Sequence, residues 1–171
     1  GIRVKLVTGV QTCALPISTA SPESFLGAGE MVGKGIDPWA VAEQVYETQS
    51  ANRLRLLGRV LDSLEIAGGG RVAAVVTRKT DLAEFSATKD HLEGFINYPR
   101  SIAGVEGAVA FREEGDREYR VSFRSKGRVD VSAVASSFGG GGQRNAAGCT
   151  VRGDLGDVKR RVFGALDAAL A

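Results

Sequence analysis

SSFGGGGQRNAAGCT occupies residues 136–150 and decides the fold more than any other stretch of this chain. Its four consecutive glycines, residues 139–142, precede Gln143, Arg144 and Asn145, and small residues then lead into a short β-prone segment. Glycine reaches positive φ and lets a ligand approach the backbone, so such a run can turn bare amides toward an anion. A guanidinium fork and a carboxamide beside it suit a phosphate and a base edge. The stretch predicts a loop that holds a nucleotide-like ligand; a flexible linker or a helix stop is the alternative.

The composition is that of a globular chain. Its 171 residues carry a formal net charge of +2, with 43% hydrophobic and 25% charged residues, which suits one ordinary domain or a small domain with an appendage. The near-neutral charge gives no sign of wholesale binding to duplex nucleic acid or acidic membranes, and no apolar run approaches the length of a membrane span.

The N-terminal segment requires separate treatment. VTGVQTCALPI, residues 7–17, looks like the translation of a common sequencing-library adaptor, so residues 1–18 are left out of the fold as a non-native scar would be. Cys149 is then the single genuine cysteine, which excludes an intrachain disulfide and favours a reducing cytoplasm. An adaptor joined to coding sequence also implies a gene truncated at its 5′ end, so we expect a C-terminal fragment.

Helical and strand patterns divide the remaining sequence in two. Residues 19–66 are predicted to form three helices, because Ser21-Pro22 and Asp37-Pro38 are helix starts and a leucine stripe follows over 50–64. Residues 67–171 are predicted to alternate strands at 71–77, 105–112, 118–124 and 148–151 with helices at 92–102, 130–136 and 154–170. The pattern predicts an α/β fold with a small mixed β-sheet flanked by helices, preceded by a three-helix remnant of another domain.

Residues for hydrolytic chemistry are hard to find. The only histidine, His91, lies in a polar turn, and Cys149 lies inside a predicted strand, where a small buried residue is expected. No group of carboxylates or histidines has metal-ligand spacing, and no Gly-Lys-Ser/Thr ends the glycine run as it would in a Walker loop. We therefore predict no catalytic residue and no metal ligand, and expect the chain to bind rather than to cut.

Further candidate binding residues lie where the preceding strand ends. Arg124 and Ser125 occupy its C-terminal edge, where open α/β sheets bind ligands, although the alternation of Arg120, Ser122 and Arg124 equally fits a solvated strand face. The predicted substrate-binding residues are Arg124, Ser125, Gly139, Gly140, Gly141, Gly142, Gln143, Arg144, Asn145 and Ala146.

Three motifs carry a family resemblance: Arg124-Ser125-Lys126, the helix that starts at Asp130, and the run from Phe138 to Gly148. They resemble the C-terminal domain of DHH-family phosphoesterases, and in particular the bacterial branch of bifunctional oligoribonuclease/PAP phosphatases. On this resemblance, residues 19–66 are the helical tail of the DHH domain plus a linker helix, and residues 67–171 are the DHH-associated substrate-binding domain.

The resemblance also implies what the intact enzyme would do. An N-terminal DHH domain holds two divalent metals, usually manganese (Mn²⁺), and hydrolyses short oligoribonucleotides, 3′-phosphoadenosine 5′-phosphate (PAP) or dinucleotides. That domain is expected to be missing, so this chain should hold no cofactor and be inactive. The resemblance implies a short RNA or nucleotide as partner, no membrane, a cytoplasmic location, and a homodimer as one option for the full-length protein.

One departure falls within the motif. The family loop typically has His directly after the glycines, where this chain has Gln143. A carboxamide can still donate a hydrogen bond to a phosphate, but it cannot carry a positive charge, which predicts weakened phosphate binding. Two other classes stay open: an RNA-binding C-terminal module of the type found in alanyl-tRNA synthetase, and a structural domain with an incidental glycine turn.

Overall fold

The computed structural model describes residues 21–171, and the predicted adaptor-derived segment at residues 1–18 lies outside them. The chain falls into two compact units, of which the first ends at Thr48 and the second spans Gln49–Ala171. Among the described residues, no helix has both the length and the apolar character that crossing a membrane would require.

Two helices make up the described part of the first unit, α1 (Pro22–Gly33) and α2 (Pro38–Tyr46). Both start where the sequence predicts, because the side chains of Ser21 and Asp37 accept backbone amides of the first turn and a proline follows each cap. Neither helix contains a buried residue, and Trp39 is 66% exposed. Within residues 21–48, the apolar side chains of these two helices therefore form no buried core.

A six-stranded mixed sheet forms the centre of the second unit; the sequence predicts a mixed sheet and four of these strands, but not β1 or β5. The strand order is β1-β2-β3-β4-β6-β5; β2 and β3 are parallel and all other neighbours are antiparallel. The strands are β1 (Glu65–Ala67), β2 (Val72–Thr77), β3 (Gly107–Gly115), β4 (Glu118–Ser125), β5 (Gly141–Gln143) and β6 (Ala146–Arg152). The helices are α3 (Ala51–Asp62), α4 (Lys79–Glu84), α5 (Asn97–Ser101), α6 (Val131–Ser136) and α7 (Leu155–Leu170).

One face of the sheet carries the main core beneath α6 and α7. Val121 and Phe123 of β4 alternate with polar residues, are fully buried, and join Val158, Val162 and Leu166 of α7 in one apolar cluster. This two-residue period places every second side chain of a strand in the core. The residues between them must point to the opposite face.

The opposite face is covered by helices over only part of the sheet. Leu56 and Val60 of α3 are buried with Val75 of β2, so α3 packs on the sheet and belongs to the second unit. This helix falls within residues 19–66, which the sequence predicts to be the helical tail of another domain plus a linker helix, and those domain boundaries stay a prediction. Arg120 of β4 and Thr150 of β6 are exposed on this face.

Two details of the predicted secondary structure are wrong. A single helix over 92–102 does not form, because Gly94 lies at φ +82° and separates a 3-10 turn at Lys89–Leu92 from α5. The glycine run is also not a loop throughout, since Gly141–Gln143 forms the edge strand β5 against β6.

Candidate functional site

The predicted site residues lie where β5, β6, β4 and β3 pair side by side. Directly paired residues of antiparallel strands point to the same face, and successive rows on one face are about 7 Å apart. The first row contains Gln143, Ala146, Arg124 and Ala108; the second Gly141, Gly148, Ser122 and Ala110; the third Thr150, Arg120 and Arg112. These three rows face away from the core under α6 and α7, and we call them the open face.

The middle row of the open face has almost no side chains. A Cβ at Gly141 would meet no atom within 4 Å, and the backbone there is not in the left-handed region. A Cβ at Gly148 would lie 3.1 Å from Nη2 of Arg120, so the Arg120 guanidinium lies over this glycine. The middle row is therefore a shallow groove, which we call the trough. The side chains of the first row lie along one side of it, and the Arg120 guanidinium lies over it at Gly148.

Arg124 is the one cationic residue of the first row. Its side chain is partly buried and Nη1 donates to the carbonyl of Phe123 at 3.0 Å. Its buried Nε–H has no hydrogen-bond partner in the part of the chain that the structure describes. A buried unsatisfied donor costs about 1–3 kcal/mol, and a rotation of the side chain that opens this donor to a ligand oxygen would remove that cost. Gln143 is exposed in the same row, on the far side of β6 from Arg124, and its side-chain amide can donate a hydrogen bond.

Ser125, Arg144 and Asn145 lie at the end of the sheet near α6 instead. Ser125 is only 3% exposed, and its hydroxyl donates to Oδ1 of Asn145 at 3.0 Å. Arg144 lies 3.8 Å from the Asp130 carboxylate, which caps α6, and is otherwise exposed. The Ser125 hydroxyl is therefore buried and donates to Asn145, which it helps to hold in place; a direct contact of Ser125 with a ligand stays a prediction.

The four glycines also divide into two pairs. The amides of Gly139 and Gly140 donate to carbonyls of α6 at 3.0 and 2.9 Å and close the C-terminal end of that helix. Those two amides are therefore occupied within the fold, and Gly141 and Gly142 lie beyond the helix end; which of the four glycines contact a ligand stays a prediction. The Gly142 carbonyl accepts the Ser132 hydroxyl at 3.0 Å, which ties β5 to the first turn of α6.

Acidic side chains neutralise one border of the open face. Glu114 accepts hydrogen bonds from Lys89 and from Arg112, whose Nε lies 2.8 Å away. The hydrogen bond from Lys89, assisted by Arg112, holds the pKa of Glu114 below its ordinary value even though partial burial opposes this shift. The Arg112 guanidinium is thus committed within the chain.

The centre of the open face is not neutralised. Beside the centre, Arg152 of β6 donates a hydrogen bond to Glu118 of β4 at 2.8 Å, so the charge of Arg152 is neutralised. Arg120 and Arg124 form no ion pair with any carboxylate among residues 21–171. Two uncompensated guanidinium groups beside a trough of glycines form a surface suited to an anion.

Cys149 and His91, which lie outside the open face and could in principle take part in catalysis, have structural roles. Cys149 is 1% exposed and burial raises the pKa of its thiol, which confirms its prediction as a small buried residue. His91 accepts the Thr88 amide through Nδ1 at 3.0 Å. Within the described residues no three His, Cys, Asp or Glu side chains converge as metal ligands would.

Sequence reasoning missed two members of this surface, Arg120 and Gly148. The alternation of Arg120, Ser122 and Arg124 was a usable signal, because it places all three on one face of β4. What it could not provide is the pairing of Ser122 with Gly148, which lets the Arg120 side chain lie flat across the neighbouring strand.

Three comparisons with known proteins agree with this fold. The DHHA1 domain profile matches residues 68–170. The bifunctional oligoribonuclease and PAP phosphatase NrnA of Bacillus subtilis is 31% identical over 124 residues, 72% of this chain and 38% of that protein. The Thermus thermophilus protein of the same name is 29% identical over 170 residues, 96% of this chain and 50% of that protein.

A solved structure is similar over most of the chain. An exopolyphosphatase-related protein from Bacteroides fragilis superposes with a TM-score of 0.79 at 31% identity, over 86% of this chain and 44% of that one. The chain therefore spans half or less of the length of each of these relatives.

Proposed function

This chain belongs to the DHHA1 domain family, and from that premise we propose that its open face binds the phosphate of a nucleotide or short oligoribonucleotide. The observation that carries the proposal is the unsatisfied Nε–H of Arg124 beside the glycine trough. A phosphate oxygen accepts from a guanidinium with a charge-assisted hydrogen bond. Gln143, in the same row, would donate a second hydrogen bond from its neutral side-chain amide.

The intact protein, on this proposal, is a phosphoesterase of the DHH type. Two relatives are named oligoribonuclease and PAP phosphatase, which supports short oligoribonucleotides and PAP as substrates and favours this reading over the RNA-binding module of a tRNA synthetase. Two Mn²⁺ ions would supply activated water in an N-terminal domain. We propose that residues 21–171, among which no group of three such metal-ligating side chains occurs, bind and orient the substrate.

The two exposed helices fit the same proposal. α1 and α2 bury none of their residues, and Phe25, Met31 and Val45 are at least half exposed. We propose that these helices are the tail of the DHH domain and contribute their apolar side chains to that domain's core.

A binding experiment tests the proposed site. Isothermal titration of the 171-residue chain with PAP (adenosine 3′,5′-bisphosphate, written pAp from here on) should give saturable binding. Arg124→Gln should weaken that binding at least about tenfold, as expected for one lost charge-assisted contact. Arg160→Gln is the matched control, because Arg160 lies exposed on α7 and pairs with Asp157. Wild-type-like affinity of Arg124→Gln, or amide shifts on binding that avoid Gly141 and Gly142, would contradict the proposal.

A separate assay tests the absence of catalysis. The purified chain should not release adenosine 5′-monophosphate from pAp with or without Mn²⁺, whereas it should bind pAp. Release that depends on Mn²⁺ and is lost in a Gly141→Ala variant would overturn the expectation of an inactive chain.

A further inference from the structure

We infer that Asn97, the first residue of α5, positions the Arg124 guanidinium for its ligand. When a phosphate binds, the guanidinium turns away from the Phe123 carbonyl and donates to the side-chain oxygen of Asn97 instead. This inference rests on the proposed function and adds a positioning residue to the same site. It gives a role to the short helix α5, to which the proposed function assigns none.

Asn97 and Arg124 carry complementary buried atoms. Oδ1 of Asn97 is a hydrogen-bond acceptor that is buried without a partner among residues 21–171, and the buried Nε–H of Arg124 is a donor in the same condition. Of the three buried side-chain atoms without a partner in that part of the chain, these are two. Buried polar atoms are nearly always hydrogen-bonded in folded proteins. An unused donor and an unused acceptor on neighbouring elements therefore suggest a second arrangement in which both are used.

The helix α5 lies against the end of β4 that carries Arg124. The carbonyl of Ile102, which caps the C-terminal end of α5, accepts a hydrogen bond from the Lys126 side chain at 2.9 Å. Lys126 follows the last residue of β4 and lies two residues beyond Arg124. A helix of five residues is about 7.5 Å long. This length places Asn97 within reach of a side chain as long as that of arginine.

The buried alanines of the first row show that this part of the open face is covered. Ala108 stands beside Arg124 in that row, and Ala73 of β2 stands beside Ala108. Both alanines are buried, although neither belongs to the apolar cluster beneath α6 and α7. Because α5 packs against β2, β3 and β4, Arg124 lies between α5 and the part of the open face that β5 and β6 form.

The Arg124 guanidinium then has two arrangements. In the structure, Nη1 donates to the Phe123 carbonyl at 3.0 Å, while Nε–H and the Asn97 oxygen are unused. In the second arrangement, Nε–H faces a phosphate oxygen and Nη1 donates to Oδ1 of Asn97. The Phe123 carbonyl can release Nη1, because Phe123 is paired in the sheet on both sides and keeps its ladder bonds. The second arrangement satisfies two atoms that the first leaves unsatisfied, so a bound phosphate favours it.

A double-mutant cycle tests the inference, with calorimetry of pAp binding to the wild-type chain, Asn97→Ala, Arg124→Gln and the double variant. Asn97→Ala should weaken pAp binding at least about fivefold, because the bound state loses a hydrogen bond from a charged donor. In the Arg124→Gln background, the same change should alter the affinity by less than about twofold. Ser101→Ala is the matched control and should also stay within about twofold of wild type. Ser101 is exposed on the same helix, and its hydroxyl donates to the Tyr98 carbonyl.

Two further measurements distinguish positioning from a purely structural role. Asn97→Ala should melt within about 2 °C of wild type, because the oxygen that it removes has no partner in the free chain. The NMR signal of the Arg124 Nε–H can be identified by its loss in Arg124→Gln. On saturation with pAp, this hydrogen should exchange with water at least about fivefold more slowly than in the free chain. In Asn97→Ala at saturating pAp, that slowing should be largely lost.

The outcomes separate this inference from the proposed function. Wild-type affinity of Asn97→Ala beside a weakened Arg124→Gln overturns the role of Asn97 and leaves the proposed function standing. The same conclusion follows if Asn97→Ala causes an equal loss with and without Arg124, or if the Nε–H is protected equally well in Asn97→Ala. Absence of pAp binding by the wild-type chain overturns both proposals.

Discussion

Comparing Gly141→Ala with Gly140→Ala distinguishes a glycine that the proposed ligand needs from one that the fold needs. A Cβ at position 141 would have no atom within 4 Å, and the backbone there lies outside the left-handed region. Alanine restricts the unfolded chain more than glycine does, so we expect the variant to be unchanged or more stable by about 0.4–1 kcal/mol. Its folding should therefore survive intact.

Gly140→Ala, one residue earlier, gives the matched contrast. A Cβ there would lie 2.3 Å from the Gly148 carbonyl oxygen and 2.5 Å from Cβ of Cys149. Neither atom is the end of a flexible side chain, so β5 and β6 must separate. Overpacking of this kind costs about 1–3 kcal/mol, and the melting temperature should fall by about 2–8 °C for each kcal/mol. Urea unfolding of both variants measures the difference.

Gly141→Ala, which should not destabilise the fold, should nevertheless weaken ligand binding. The new methyl group of Gly141→Ala enters the trough one row from Gln143 and, across β6, one row from Arg124, and the proposed phosphate would lie on this part of the open face. Displacing the phosphate enough to lose one charged hydrogen bond costs about 1.5–3 kcal/mol, which is about 10- to 150-fold in affinity for pAp by calorimetry. A Gly141→Ala chain that folds normally and binds pAp like wild type would refute the assignment of the trough.

Three further predictions concern single side chains. Gln143→His should raise pAp affinity relative to wild type several-fold below about pH 6.5 and not at pH 8, because imidazolium carries a charge that the carboxamide lacks; a constant ratio in calorimetry across this range would argue against a direct contact. Glu114→Gln should lower the free energy of unfolding by up to about 1 kcal/mol at pH 7. Because the pKa of Glu114 is lowered in the folded state, that stabilisation is present above its ordinary value of 4.5 and disappears as the pH falls below it; equal urea midpoints at pH 7 would show that the pairing contributes nothing. In a Cys13→Ser chain, Cys149 should react with Ellman's reagent only on unfolding, since burial raises its pKa, and prompt reaction in native buffer would contradict the burial.

Local signals in the sequence predicted most of the fold. The caps at Ser21 and Asp37, and Asp130 before α6, each fix a helix start through a side chain and its own backbone neighbours. The hairpin of β3 and β4 also needs only adjacent residues. The helix predicted over 92–102 failed because apolar spacing does not report backbone angles, and Gly94 breaks the helix where the spacing continues.

The site was less predictable because it depends on pairing between distant strands. Arg124 and Ser125 are neighbours in sequence, yet the two-residue period of β4 sends their side chains to opposite faces. That separation was within reach of the sequence once a strand was assigned. The crossing of Arg120 over Gly148 was not, since it requires the register between β4 and β6.

The glycine run shows why a single motif can contain several independent constraints. Gly139 lies at φ +73° and ends α6, while Gly140 and Gly142 would bring a Cβ within 2.5 Å of backbone carbonyls of β6. The fold alone therefore accounts for three of the four glycines. Gly141 is not required by its conformation or by a neighbour within the described chain, and it lies in the row next to the unsatisfied Nε–H of Arg124. The fold gives no packing reason for glycine at position 141, and on the proposed function its missing side chain leaves room on the open face for the phosphate of a ligand.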